Sequence, residues 1–171
     1  CDASGIYVAG HWVLAGADVD WKIEKRDLST GALITAFDGD GIVSSKPSTN
    51  SGETINAIAL DASSIYAVGS HNISGINDQW RIEKRDLSTG ALITAFDGDG
   101  ILVTNPSATR RDVPNGITID ASGIYVAGYD SQVSNGDTYW RTEKRDLSTG
   151  ALISAFGASG ILTTNPSTGA D

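Results

Sequence analysis

Nineteen residues, EKRDLSTGALITAFDGDGI, occupy positions 24–42 and return letter for letter at 83–101. A third copy at 143–161, EKRDLSTGALISAFGASGI, keeps fifteen of the nineteen. The repetition extends beyond this string: Asp2, Asp61 and Asp120 stand 59 residues apart, and Trp21, Trp80 and Trp140 are separated by 59 and 60. A period of this length marks a chain built from copies of one supersecondary unit, each burying its apolar surface against its neighbours. The units read as 1–51, incomplete because its first strand is missing, then 52–110 and 111–171. Copies this similar record duplication, so repetition alone does not mark a residue as functional.

The middle unit shows what one copy contains. TINAIAL (54–60) alternates and meets the turn DASS, and IYAVG (65–69) suits a strand buried on both faces, so the two runs predict a hairpin. In WRIEKRD (80–86), Trp80, Ile82 and Lys84 share one face, and Arg81, Glu83 and Arg85 the other. The first face is expected to pack and the second to be wet. LSTG turns the chain with Gly90 in it, ALITAF (91–96) is expected to return as a fourth strand, and DGDG leads through another turn into a short extended run, ILVT. Helix across 81–96 is opposed by the internal STG and the Thr and Ile after it. The reading is therefore all-β: four-stranded antiparallel sheets forming three blades of a β-propeller, with an open β-solenoid-like array as the alternative. Three units fall short of the roughly 4 to 8 blades of a closed ring. That favours a segment of a longer repeat protein over two chains that complete one ring.

Charge removes one class of partner. With a formal net charge of −9 and a pI near 4.5 the chain offers no net basic face for phosphate, so nucleic acid is not expected. Apolar runs are only a few residues long, so no membrane span is expected. The single cysteine, Cys1, aligns with Leu60 and Ile119 and is expected at a buried strand position, the alternative being a lipid-bearing or reactive thiol.

Several residues are candidates for chemistry. Asp38 and Asp40, and Asp97 and Asp99, stand in DGDG turns that resemble the start of a calcium loop, although ILVTNPS supplies none of the later ligands and the third copy has Gly157 and Ser159 instead. A bare polar turn is the preferred reading. Glu24, Glu83 and Glu143 lie three residues before Asp27, Asp86 and Asp146, a spacing that sends the two carboxylates to opposite faces of a strand. No catalytic pair forms within one copy, and a solvated face with cross-strand ion pairs is expected. Trp21, Trp80 and Trp140 recur and are expected to pack between units. Residues that differ between copies, at 11–20, 70–79 and 129–139 and in the connections 48–53 and 107–113, are where a repeated scaffold would hold its specificity. The ligand-binding candidates are Trp12, His11, His71, Tyr129 and Tyr139, with carbohydrate or protein as the ligand class.

The order NAIALDASSIYAVG, then WRIEKRDLSTG, then AFDGDGILVT resembles the delta-60 repeats and related seven-bladed propeller repeats of bacterial secreted and surface proteins, and AFGASGILTT is similar to their SFGxxG-like turn. The resemblance spans all 171 residues and rests on turn and strand positions. It implies a β-propeller and an extracellular or cell-surface location, and it carries no catalytic residue to transfer. The expected function is a non-enzymatic module for ligand binding, adhesion or structural assembly, partnered by other blades or copies of itself, with no cofactor other than calcium. The alternative is part of a polysaccharide hydrolase or lyase whose catalytic residues lie outside this chain.

Overall fold

The computed structural model describes residues 1–13, 19–46, 53–73, 77–108, 110–131 and 137–166. All its named elements are strands, arranged in three antiparallel sheets. The first sheet holds β1 (Ile6–Val13), β2 (Val19–Arg26) and β3 (Ile42–Ser45) in that order. The second is the meander β4 (Thr54–Leu60), β5 (Ser64–Asn72), β6 (Asp78–Asp86) and β7 (Ile101–Thr104). The third repeats it with β8 (Val113–Asp120), β9 (Gly123–Ser131), β10 (Thr138–Arg145) and β11 (Ile161–Thr164). The hairpin expected from TINAIAL and IYAVG is present: Asp61 Oδ1 accepts the backbone N–H of Ser63 at 2.8 Å and of Ser64 at 2.7 Å, closing the turn between β4 and β5.

Two strand expectations need correction. ALITAF is not the fourth strand; apart from one bridge between Arg85 and Leu92 it is a run of turns, and ILVT takes the edge of β6. The cause is Phe96, wholly buried and edge-on to Tyr66 with ring centres 6.4 Å apart. Burying that ring pulls the segment across the end of the sheet instead of along its edge. Ile93 N–H then reaches the carbonyl of Lys84, and Gly100 N–H that of Phe96. Cys1 is exposed and precedes β1; among the described residues β1 pairs with β2 alone, so no neighbouring strand covers that position.

The third correction concerns the face expected to be wet. Arg81, Glu83 and Arg85 are buried, Glu83 completely, because that face of the second sheet lies against the first. The ion pairs run along the strand and not across it: one Glu83 oxygen takes Arg81 and the other takes Arg85, at 2.7 and 2.8 Å. The next sheet repeats the ladder, Glu143 holding Arg141 and Arg145, each at 2.6 Å. A carboxylate between two guanidiniums two residues away satisfies itself within one strand, which allows a charged face to be dry.

Each sheet therefore has two different faces, and the stack joins unlike faces, always in the same direction. Trp21 and Ile23 of the first sheet pack with Ile65 and Ala67 of the second in one core; Trp80 and Ile82 of the second pack with Ile124 and Val126 of the third in another. The guanidinium of Arg81 lies 5.7 Å from the Trp21 ring centre, and that of Arg141 lies 5.8 Å from Trp80. Beneath each indole is a glycine. A Cβ on Gly69 would sit 2.6 Å from Trp21 Cζ2 and 1.9 Å from the Thr54 carbonyl oxygen, and a Cβ on Gly128 would sit 3.0 Å from Trp80 Cζ2.

Gly69→Ala is expected to lower stability by about 1–3 kcal/mol through overpacking, whereas Gly10→Ala, whose Cβ would meet nothing within 4 Å, is expected to stay within about 0.5 kcal/mol. Urea unfolding of dilute protein measures both. Glu83→Ala, which strands two buried arginines, is expected to cost about 3–5 kcal/mol. Its solvent-facing counterpart Glu24→Ala should cost less than about 1 kcal/mol, and equal losses from the two would contradict the dry ladder.

Candidate functional site

The antiparallel meander sorts the chain into two ends. The turns after β4 and β6, and their counterparts in the other units, lie at one end; the ends of β1, β5 and β9 and the starts of β2, β6 and β10 lie at the other. The first end is nearly the same in every unit. Asp86 Oδ1 accepts the N–H and hydroxyl of Ser88 at 2.9 and 2.6 Å and those of Thr89 at 2.8 and 2.9 Å; Asp27 and Asp146 repeat the arrangement. The hydroxyl of Ser88, with the other donors, holds Asp86 down at about 2, and the hydroxyl of Ser148 does the same for Asp146.

The DGDG turns have the same character. Asp38 and Asp97 adopt positive φ, 51° and 50°, and donate their N–H groups to the carbonyls of Thr89 and Thr149 on the next sheet. Asp40 and Asp99 accept the N–H of Ile42 and Ile101 at 2.8 Å. The carboxylates of Asp40 and Asp99 thus close their own turns, and among the described residues no three His, Cys, Asp or Glu side chains gather as a metal site.

The other end is where the units differ, and it contains a buried polar cluster between the second and third sheets. Asp112, fully buried, accepts the N–H and hydroxyl of Ser107 at 2.7 and 2.8 Å and the N–H of Ser131 at 3.1 Å. Burial pushes its carboxyl up in spite of these donors. Its backbone N–H donates to the carbonyl of Asp78, whose carboxylate takes Asn72 and Arg111. Asn77 reaches the carbonyl of Ala108, and Asp130 lies 3.6 Å from Arg141. The cluster clips the link 105–112 to the sheet ends. Nothing in the repeated strings announces it, but a signal exists: Glu53 and Asp112 hold the same place before the first strand of their units, 59 residues apart, and both are buried.

The five ligand candidates all lie at this variable end and do not converge on one pocket. Trp12 is 59% exposed, opposite Asp20 on the outer face of the first sheet. His11 pairs with Trp21 and so points to the other face, exposed at its rim. His11 and His71 are not equivalent positions: Ser70 is the residue that pairs with Trp80, and His71 pairs with Gln79 on the opposite face. His71 is half-buried, its Nδ1 without a partner, and burial with the nearby Arg81 charge holds its pKa down. Tyr129 pairs with Trp140 on the outer face of the third sheet, and its carbonyl accepts Trp80 Nε1 at 3.3 Å. Tyr139 pairs with Asp130 on the face toward the second sheet.

Chemically, the acidic residues of the repeated string are committed to structure. Glu83 and Glu143 each carry two arginines, and Asp27, Asp86 and Asp146 each accept from two neighbouring residues. The depressed Asp86 and Asp146 stabilise the native state above the ordinary carboxylate range, and that contribution is lost as pH falls from about 4 toward about 2. The unfolding midpoint is expected to drop across this window, and Asp86→Ala with Asp146→Ala to lower it at neutral pH while flattening the drop; denaturation series at several pH values measure both.

No protein-family model matches the chain, and no curated protein or solved structure is significantly similar to it, so its function is read from its own geometry.

Proposed function

We propose that this chain is a non-enzymatic binding module: a rigid stack of repeated β-sheets, read as consecutive blades of a β-propeller, that presents its variable end to a carbohydrate or protein ligand outside the cell. One observation carries the reading. The residues that make the sheet interfaces and the turns are the repeated ones, and the residues that differ between units, Trp12, His71, Arg111 and Tyr139 among them, collect at one end of the stack. A scaffold whose frame repeats and whose tips vary separates stability from recognition. The blade reading draws on the four-strand meander and on the same face-to-face packing occurring twice; the location draws on the resemblance to repeats of secreted and surface proteins.

Binding of the labelled chain to glycan and protein arrays tests the proposal. Trp12→Ala and Tyr139→Ala are expected to weaken a positive signal by about tenfold or more, the loss typical of removing an aromatic anchor, without moving the unfolding midpoint. Asp86→Ala at the opposite end is expected to leave binding intact. Loss of binding from Asp86→Ala alone, or no ligand on either array, would overturn the reading, and release of reducing sugar from a polysaccharide by the isolated chain would favour the hydrolase alternative.

A further inference from the structure

The link between the second and third sheets carries Arg110-Arg111, where the link of the preceding unit has Ser51-Gly52. Both arginines are exposed, Arg111 even though its guanidinium pairs with Asp78. Arg110 makes no hydrogen bond or ion pair among the described residues.

The other basic residues are placed differently. The chain has 12 lysines and arginines, of which three lie in each of β2, β6 and β10, nine in all. Those strands are interior to their sheets, with a partner along both edges. Where the partner strand stops, the turns take over: Lys84 N–H donates to the carbonyl of Gly100 and Lys84 accepts the N–H of Ile93, and Lys25 and Lys144 do likewise. An endoprotease must draw several residues into extended contact with its own backbone, so a segment whose N–H and C=O groups are used on both sides is closed to it until the sheet opens. Lys46 is exposed but precedes Pro47, and the bond before a proline resists enzymes that cut after basic residues.

Two bonds are left, in the kind of exposed connection where nicking concentrates. The Arg111–Asp112 bond is anchored on both sides, since the Arg111 carbonyl accepts the Ser131 hydroxyl at 2.8 Å and Asp112 N–H donates to the carbonyl of Asp78 at 3.0 Å. No such anchor holds the Arg110 carbonyl or the Arg111 N–H among the described residues.

The surroundings of that bond would retain both new ends. Ser107, before it, gives its N–H and hydroxyl to Asp112, after it. Asn77 holds the carbonyl of Ala108 at 3.1 Å, and Asp78 holds the guanidinium of Arg111. Away from the link, the third sheet joins the second through the core of Trp80, Ile82, Ile124 and Val126, through Arg145 on Thr104, and through Lys84 and Tyr66 on the carbonyl of Leu147.

We infer that the Arg110–Arg111 bond is a processing site for an endoprotease whose primary pocket takes a basic side chain, and that the cut chain stays assembled. Water adds across the bond, leaving a carboxylate on Arg110 and an ammonium group on Arg111; nothing is oxidised or reduced. The inference is independent of what the variable end binds, and the two fail separately, one in an array and the other in a fragment mass.

Brief digestion of the folded 171-residue chain with a small amount of trypsin is the test, read by mass after denaturation and by gel filtration in native buffer. Fragments 1–110 and 111–171 are expected first, with the native sample eluting as the uncut chain does and its circular dichroism unchanged. Arg110→Gln, an exposed change that circular dichroism should show to be folded, is expected to slow the first cut by about tenfold or more, because the anchors of the neighbouring bond must open before it can be used. A first cut within β2, β6 or β10 overturns the site, as does a chain that stays whole while its urea-unfolded form is cut. An Arg110→Gln chain cut as fast as the wild type overturns the choice of bond. Fragments that elute separately in native buffer overturn the claim that the cut chain stays assembled.

Discussion

An indole set against a bare glycine determines how closely the sheets of this protein approach. Trp21 over Gly69 and Trp80 over Gly128 leave no space for even one methyl group, and both indoles are almost completely buried. That closeness dries the rest of the interface. Once the sheets meet at this distance, the face bearing Arg81, Glu83 and Arg85 cannot keep its water, and it remains stable only because the glutamate shares its two oxygens between the arginines while a guanidinium lies over the neighbouring indole. Tryptophan, glycine and the Arg–Glu–Arg ladder are thus one device, and a unit that lost any one of the three would lose the reason for the others.

The device also separates the two ends of the molecule. Turns built on Asp27, Asp86 and Asp146 close one end with hydrogen bonds made inside each turn, and the Asp86 and Asp146 turns also accept, at the carbonyls of Thr89 and Thr149, the N–H groups of Asp38 and Asp97 on the preceding sheet, which leaves little freedom for variation. At the other end the buried Asp112 clips the link between the second and third sheets, and around it the side chains differ from unit to unit. Constancy and variability are spatially divided because the meander brings every second connection to the same end.

Much of the architecture could be read from letters alone. The period, the DASS hairpin, the strands TINAIAL and IYAVG and the packing role of Trp21 and Trp80 all follow from alternation, turn chemistry and repetition, whereas Trp140, expected to pack like them, is 64% exposed because no sheet stands against that face among the described residues. ALITAF could not, since its composition suits a strand and only the burial of Phe96 pulls it away from the sheet edge. The candidate site was less legible. Its segments were identifiable as the places where copies disagree, but the opposed directions of His11 and His71, the burial of Asp78 and Asp112 and the separation of Trp12 from Tyr139 depend on strand register, which shifts a side chain to the other face with a displacement of one residue.

By itself the sequence determined that this chain is made of β-structure in near-identical units, because period-two alternation and the glycine and aspartate turns are local properties that each copy carries within itself. Only the tertiary structure decided which faces are dry. Arg81, Glu83 and Arg85 are written with nearly the same letters as Lys22, Glu24 and Arg26, yet the first set is buried and the second is partly open to solvent. The difference lies in whether another sheet stands against them, and burial is a property of neighbours that no single stretch of residues contains.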